Sequence, residues 1–379
     1  MEYRLDEIFD LQMGKTPSRN NPEYWDSEDY KWISIADLSK CGKYIEETKE
    51  YLSDKAVNES GISLIPANTV IMSFKLSIGK TAITSEPMYS NEAIMSFRDK
   101  HVVELLPDYV YYMFSGRNWE AGTNKAVMGK TLNKATLSGV KVSIHDIVKQ
   151  HEIVEVLDKL SSVIDNRQQE IDKLDELIKA RFVELFGDIV LNPMGYDEST
   201  VAEYCQMTQG TQIPMSEQLT EYQEGYYRYL YIRDLKYDDE DWLYVLDQYD
   251  EKKLTKDDLV VVNTGNTAGE IYRGKDGILS NNLFKVSFDT KILSTTYLFY
   301  YFRSDAFQQM LWNEMKEGTQ PHLGHKIFGS KKLIVPPMTL QNQFEKFVQQ
   351  VDKSKVVVQK ALDETRVLFD SLMQKYFGE

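Results

Sequence analysis

From Ile153 onward, apolar residues recur in alternating steps of four and three: Ile153, Leu157, Leu160, Ile164, Ile171, Leu174, Ile178 and Leu185, with Arg167 and Arg181 at the two remaining positions. A second ladder of the same spacing runs Phe344, Val348, Val351, Val358, Leu362, Phe369, Leu372 and Tyr376, with Lys355 and Thr365 in its gaps. Neither stretch contains Gly or Pro. A period of 3.5 rather than 3.6 residues favours a helix as the packing partner, so the pattern predicts two coiled-coil helices that pair with each other. The competing reading is that each helix packs only on its own domain. Each ladder would be on the order of 50 Å long, about one and a half turns of B-DNA. The polar interruptions either set register at a cost in stability or lie at the seam edge with their charges in water.

The ladders belong to a larger repeat. Shifting the chain so that Gln150 meets Gln341 also brings Leu132 onto Leu323 and Lys141 onto Lys332, and the Phe186-Gly187-Asp188 exit onto Phe377-Gly378-Glu379. The segments before each helix match as well. Leu11 to Pro17 recurs as Met207 to Pro214, a Gly-x-x-Pro turn with one extra residue in the second copy, and Trp32 to Leu38 recurs as Tyr229 to Leu235. Val70 to Gly79 recurs as Val260 to Gly269, and Ser90-Asn91-Glu92 as Ser280-Asn281-Asn282. Short β-branched and aromatic runs between Gly, Pro and Asn predict strands joined by turns. Helical patterns appear at 108–116 and around 296–310. Each copy is therefore a mixed α+β unit followed by a long helix, and antiparallel pairing of the helices would make a pseudo-twofold object.

Composition places the 379-residue chain among globular proteins with room for two cores. No signal-peptide pattern and no run approaching a membrane span is visible, and Cys41 and Cys205 give no disulfide framework, so a reducing cytoplasm is expected. The net charge of −15 weighs against a lone nucleic-acid binder. The acid is clustered, however, as in Asp238-Asp239-Glu240-Asp241. Lys125, Lys130, Lys134 and Lys141 sit in an acid-poor stretch, matched in the second copy by His322, His325, Lys326, Lys331 and Lys332.

Taken together, these features resemble the specificity subunit of type I restriction-modification systems. The carriers are the Gly-x-x-Pro turn, the aromatic-Ile-x-x-x-Asp-Leu strand, the strand–Ser/Asn–x–x–x–x–Gly segment, the Pro336-Pro337-Met338-Thr339-Leu340-Gln341 approach to a long helix, and the Phe-Gly exit. They span essentially the whole chain; the departure is Ile144-His145-Asp146, where the second copy has Val335-Pro336-Pro337. The resemblance implies target recognition domains at 1–148 and 188–339, with spacer helices at 149–187 and 340–379. It implies a chain that is not itself catalytic and reads a bipartite site in double-stranded DNA, in complex with two methyltransferase subunits and with restriction subunits. S-adenosylmethionine, ATP and Mg2+ would belong to those partners, with no cofactor in this chain.

The residues themselves carry no complete catalytic motif. Asn21-Pro22-Glu23-Tyr24 lacks the second proline of the adenine-methyltransferase motif. Gly79-Lys80-Thr81 and Gly129-Lys130-Thr131 lack the first glycine of a P-loop. The five histidines show no His-x-x-x-His spacing, and no Cys pair has zinc spacing. Base reading needs side chains that reach base edges from firm supports. Candidates lie where the copies agree in place and differ in identity: Ser73, Lys75 and Ser77 against Asn263, Gly265 and Thr267, and Asn91-Glu92 against Asn281-Asn282. Lys15 and Thr211, each following a turn glycine, join them, although such polar residues also cap turns. Lys125, Lys130 and Lys134, with Gln320, His322, His325 and Lys326, are candidates for phosphate or groove contact. An alternative from another class is a coiled-coil scaffold with two ligand-binding domains, which gives no reason for basic loops before both helices. Lys130→Ala should weaken binding to every DNA sequence and reduce the salt dependence of binding by about one phosphate contact, and an unchanged salt slope would remove Lys130 from the phosphate contacts.

Overall fold

The strand-forming runs pair into sheets in both copies. In the computed structural model, which describes residues 1–75, 77–119, 132–237, 241–315 and 321–378, the chain divides into two units. The first comprises 1–168 with 360–379, and the second 169–359. Each thus holds one globular copy, half of its own long helix and half of the other.

The first unit has a five-stranded sheet in the order Phe9–Met13, Ile94–Asp99, Val70–Ser73, Thr81–Thr84, Tyr44–Ile45. A three-stranded sheet joins Glu50–Leu52, Tyr30–Ile33 and Tyr89–Ser90. The second unit has a four-stranded sheet in the order Cys205–Gln209, Leu283–Phe288, Leu259–Val262, Ile271–Arg273, and another four-stranded sheet in the order Leu243–Leu246, Tyr226–Leu230, Gly277–Leu279, Lys253–Leu254. In each, a short antiparallel pair ties the start of the copy to the strand just before the long helix: Glu2–Arg4 with Lys141–Ser143, and Asp197–Thr200 with Lys332–Val335.

Two local readings change. The aromatic-Ile-x-x-x-Asp-Leu segment is a strand only as far as Ile33. Ser34 then caps the helical turn Ile35–Leu38, its hydroxyl accepting from the Asp37 amide while the Asp37 carboxylate accepts from the Ser34 amide. That reciprocal pair is a capping box, and Asp234 returns the same bond to the Tyr231 amide in the second copy. The helical pattern around 296–310 is two helices, Thr295–Arg303 and Asp305–Met315. Ser304 between them is extended, and its hydroxyl accepts from the Phe307 amide.

The long helices run Ile147–Phe186 and Met338–Phe377, and every ladder position is buried or half-buried. In the first unit Lys149 lies over the Tyr376 ring, while Arg167, farther along, donates to the Ala361 carbonyl and the Thr365 hydroxyl. In the second unit Asp175 pairs with Lys355 at 2.6 Å and Phe182 meets Phe344 edge-on. One helix descends as the other ascends, so the helix segments of each unit pair antiparallel. Three of the four polar interruptions make polar contacts across the seam: Arg167 meets Thr365, and Lys355 meets Asp175. Arg181 pairs with Glu184 one turn along its own helix, and its guanidinium lies 5.7 Å from the Phe347 ring of the other helix. The globular core and the helices share one packing in each unit. Ile153, Leu157 and Met373 join Tyr109, Tyr112 and Phe114, and Phe182, Phe186, Phe344 and Val348 join Tyr297 and Tyr301.

Gln150 and Gln341 are fully buried near the start of the long helices and make the same three bonds. Gln150 Oε1 accepts from the Leu106 amide, and its Nε2 donates to the carbonyls of Glu104 and His145. Gln341 Oε1 accepts from the Ser294 amide, and its Nε2 donates to the carbonyls of Ile292 and Pro336. Each glutamine thereby joins its long helix to the start of a helix in the globular copy, Pro107–Ser115 or Thr295–Arg303. Gln341→Leu keeps the volume but leaves three backbone groups unpaired, at ~1–3 kcal/mol each. It should destabilise the second unit by roughly 3–5 kcal/mol in urea unfolding, with hydrogen exchange localising the loss to that unit. A loss under about 1 kcal/mol would mean that the clamp contributes little.

Candidate nucleic-acid interface

The turns between the sheet strands gather at one end of each unit. In the first, the Gly14 amide donates to the Ile94 carbonyl and the Lys15 amide to the Ser90 carbonyl. The backbones approach so closely that a Cβ on Gly14 would lie 2.2 Å from the Ser90 carbonyl oxygen, which is why glycine stands there. The Phe74 amide donates to the Ala93 carbonyl, and the Leu132 amide to the Phe74 carbonyl. These bonds bring Lys15, Lys75, Ser77 and Lys134 onto neighbouring segments. Lys15 is exposed and reaches the Ser60 carbonyl; Lys75 is half-buried with its ammonium 5.3 Å from the Phe74 ring. Lys134 is exposed and opens the short helix Lys134–Ser138, which Asn133 caps. Glu92 accepts from the Thr16 hydroxyl, which holds its carboxyl below the ordinary value.

The second unit repeats this frame. The amides of Gly210 and Thr211 donate to the carbonyls of Leu283 and Leu279, and that of Asn263 to the Asn282 carbonyl. The Leu323 amide donates to the Asn263 carbonyl, and Thr264 bridges to His322. Asn282, His322 and Lys326 are exposed; Thr211, Thr267 and His325 are half-buried. Lys125, Lys130 and Gln320 lie outside the described residues.

Two candidates sit inside the fold. Ser73 is fully buried, and its hydroxyl bonds the Ser77 carbonyl and the Lys80 amide, so it holds its own loop closed. Asn263 is 3% exposed and donates to the Asn281 carbonyl at 3.4 Å. Burial removes both from direct reach of a groove. The pairing of the copies also shifts. Ser73 opposes Ile94 as Val262 opposes Leu283, so Ser73 is equivalent to Val262 and Phe74 to Asn263. The loop closes from Gly79 back to Ser73 in one unit and from Gly269 back to Val262 in the other, one residue longer. Aligning the glycines hid that insertion. By the same bonds, Asn91 is equivalent to Ser280 and Glu92 to Asn281.

Sequence reasoning passed over Gln209, the residue before the turn glycine. Its Nε2 donates to the carbonyls of Asn281 and Leu283, at 2.5 and 3.2 Å, and its Oε1 lies 3.1 Å from His325 Nε2. It therefore joins three segments that carry candidate residues. The signal was its place in the Gly-x-x-Pro motif, opposite Met13 of the first copy. Burial, with His322 and Lys252 nearby, lowers the His325 imidazole below its ordinary value.

Comparison with known proteins bears on both units. The family described as "Type I restriction modification DNA specificity domain" matches residues 1–176 and 193–364. The MjaIX specificity subunit of Methanocaldococcus jannaschii is 22% identical over 99% of this chain and 92% of that protein. The EcoR124I/EcoR124II specificity subunit of Escherichia coli is 25% identical over 50% of this chain and 47% of that protein. In structure, the S subunit of a type I system from M. genitalium aligns over 100% of this chain and 96% of its own, with a TM-score of 0.59 at 16% identity, and so shares the fold. A chain from a study of type I assembly and conformational transition aligns over 100% and 97%, with a TM-score of 0.57 at 14% identity. The chain belongs to the specificity subunits of type I restriction-modification systems, the non-catalytic components that recognise DNA.

Proposed function

We propose that each unit reads one half of a bipartite DNA target through the turns at its sheet end, and that the chain directs methyltransferase and restriction subunits to that site. The observation that carries this reading is the doubled frame. The same backbone bonds hold Lys15 and Thr211, Ala93 and Asn282, and Lys134 and His325 in corresponding places, while the side chains differ. Equal frames with unequal side chains suit two half-sites of different sequence. Lys15, Lys75, Lys134, Lys326 and His322 supply charge or donors for phosphate and groove edges, with Ser77, Thr211, Thr267 and Asn282 as short polar readers.

Methyltransferase subunits, one for each repeat, would dock on the long helices. Val356 and Val357 in the second unit and Val367 in the first are each 69% exposed, off the ladder that forms the seam. Exposed valines on an otherwise charged helix face support a partner surface. The acidity fits a division of labour in which this chain supplies readout and its partners much of the electropositive grip. The purified chain alone should bind a target duplex weakly at physiological salt, and its affinity should rise at least tenfold when the methyltransferase subunit is added. Tight, partner-independent binding would contradict this division.

A further inference from the structure

The second unit fixes the proton of one imidazole through a chain of hydrogen bonds. The amide nitrogen of Gln209 faces two carbonyls, Asn281 and Leu283, which can only accept. The Gln209 oxygen must then be the atom that faces His325 Nε2 at 3.1 Å, so Nε2 carries the hydrogen. In the neutral ring Nδ1 is left as an acceptor, and it has no hydrogen-bond partner among the described residues. The neighbours His322 and Lys252, together with burial, favour that neutral form.

His325 opens the short helix that follows Leu323, as Lys134 opens the one that follows Leu132. The first unit thus places a permanent donor where the second places an acceptor. The contrast extends to the support beneath. Phe74 is buried in the first unit, while its equivalent Asn263 is buried with Oδ1 lacking any donor and with Nδ2 on the Asn281 carbonyl that Gln209 also uses. Phe74 and Lys134 offer no side-chain acceptor; in the second unit the Asn263 oxygen is an acceptor enclosed in the fold, out of reach of a groove, and His325 Nδ1 is the acceptor beside it.

We infer that His325, held in one tautomer by Gln209, is a specificity-determining acceptor that reads an exocyclic amino group, of adenine or cytosine, in the half-site of the second unit. In the major groove those amino groups are donors, whereas the guanine O6 and N7 and the thymine O4 are acceptors. Lys134 in the corresponding place suits guanine or a phosphate. The inference rests on the DNA-reading function proposed above, and Gln209 acts in it as a positioning residue.

The test uses the chain assembled with its methyltransferase subunit and the target duplex identified from host methylation. Each adenine or cytosine of the second half-site is replaced in turn by purine or pyrimidin-2-one, which lack the amino group. The wild-type complex should lose on the order of tenfold in affinity at one such position. His325→Lys and Gln209→Met, which install the first unit's residues, should abolish that single-position discrimination. Discrimination in the first half-site should persist in both variants, which shows that they are folded. The assignment is overturned if His325→Lys keeps the wild-type discrimination, or if it weakens all duplexes alike, as loss of a phosphate contact would. If the wild-type complex shows no sequence preference, the DNA-reading function itself fails, and the inference with it.

Discussion

Two buried glutamines hold this architecture together. An amide side chain with no exposure has three strong hydrogen-bonding needs in the settings of Gln150 and Gln341, and each meets them on backbone groups from two other segments. The direction of the helix start relative to the globular copy follows from those bonds. The aromatic packing of Tyr109 and Tyr297 lies alongside: the Tyr109 hydroxyl reaches the Ser143 carbonyl and the Tyr297 hydroxyl the Ile334 carbonyl. A polar clamp inside an apolar core is costly to leave half-made, so it specifies one arrangement where apolar packing alone would tolerate several.

From that fixed point the two units diverge in what they present. Their sheets, turn glycines and closing hydrogen bonds correspond, yet Lys134 stands against His325, Met13 against Gln209 and Phe74 against Asn263. The seam diverges too. Arg167 with Thr365 lies in the first unit and Lys355 with Asp175 in the second, so the helix pairing carries different polar contacts in each. The architecture is common to both units, whereas their chemistry is not.

Much of this was legible in the residues. The heptads announced the long helices because a 3.5-residue period has few other physical causes, and the repeat located Gln150 and Gln341. The role of those glutamines was not legible, since their partners at Glu104, Leu106, Ile292 and Ser294 are distant in sequence and use only backbone atoms. Asp37 and Asp234 were visible as motif residues, but their capping bonds needed the chain to turn after Ile33 and Leu230. Ser73 and Asn263 looked like an exposed, variable pair because the glycines beyond them align. A single extra residue in the second loop moved the strands out of that register, and in a strand one residue is the difference between faces. The departure at Ile144-His145-Asp146 proved harmless, because Gln150 uses the His145 carbonyl as Gln341 uses that of Pro336.

The excess of acid suits a reader that does not act alone: on the proposed reading, a few basic and polar groups at the turns would face DNA, and exposed valines on the long helices would meet partner subunits. The claim at the centre of this account is that two similar units read two different half-sites. Methylome sequencing of the host with and without the gene for this chain tests it most directly. The account predicts loss of one split methylation motif, two unlike specific halves separated by a fixed run of unspecified bases. An unchanged methylome, or loss of a continuous motif, would contradict it.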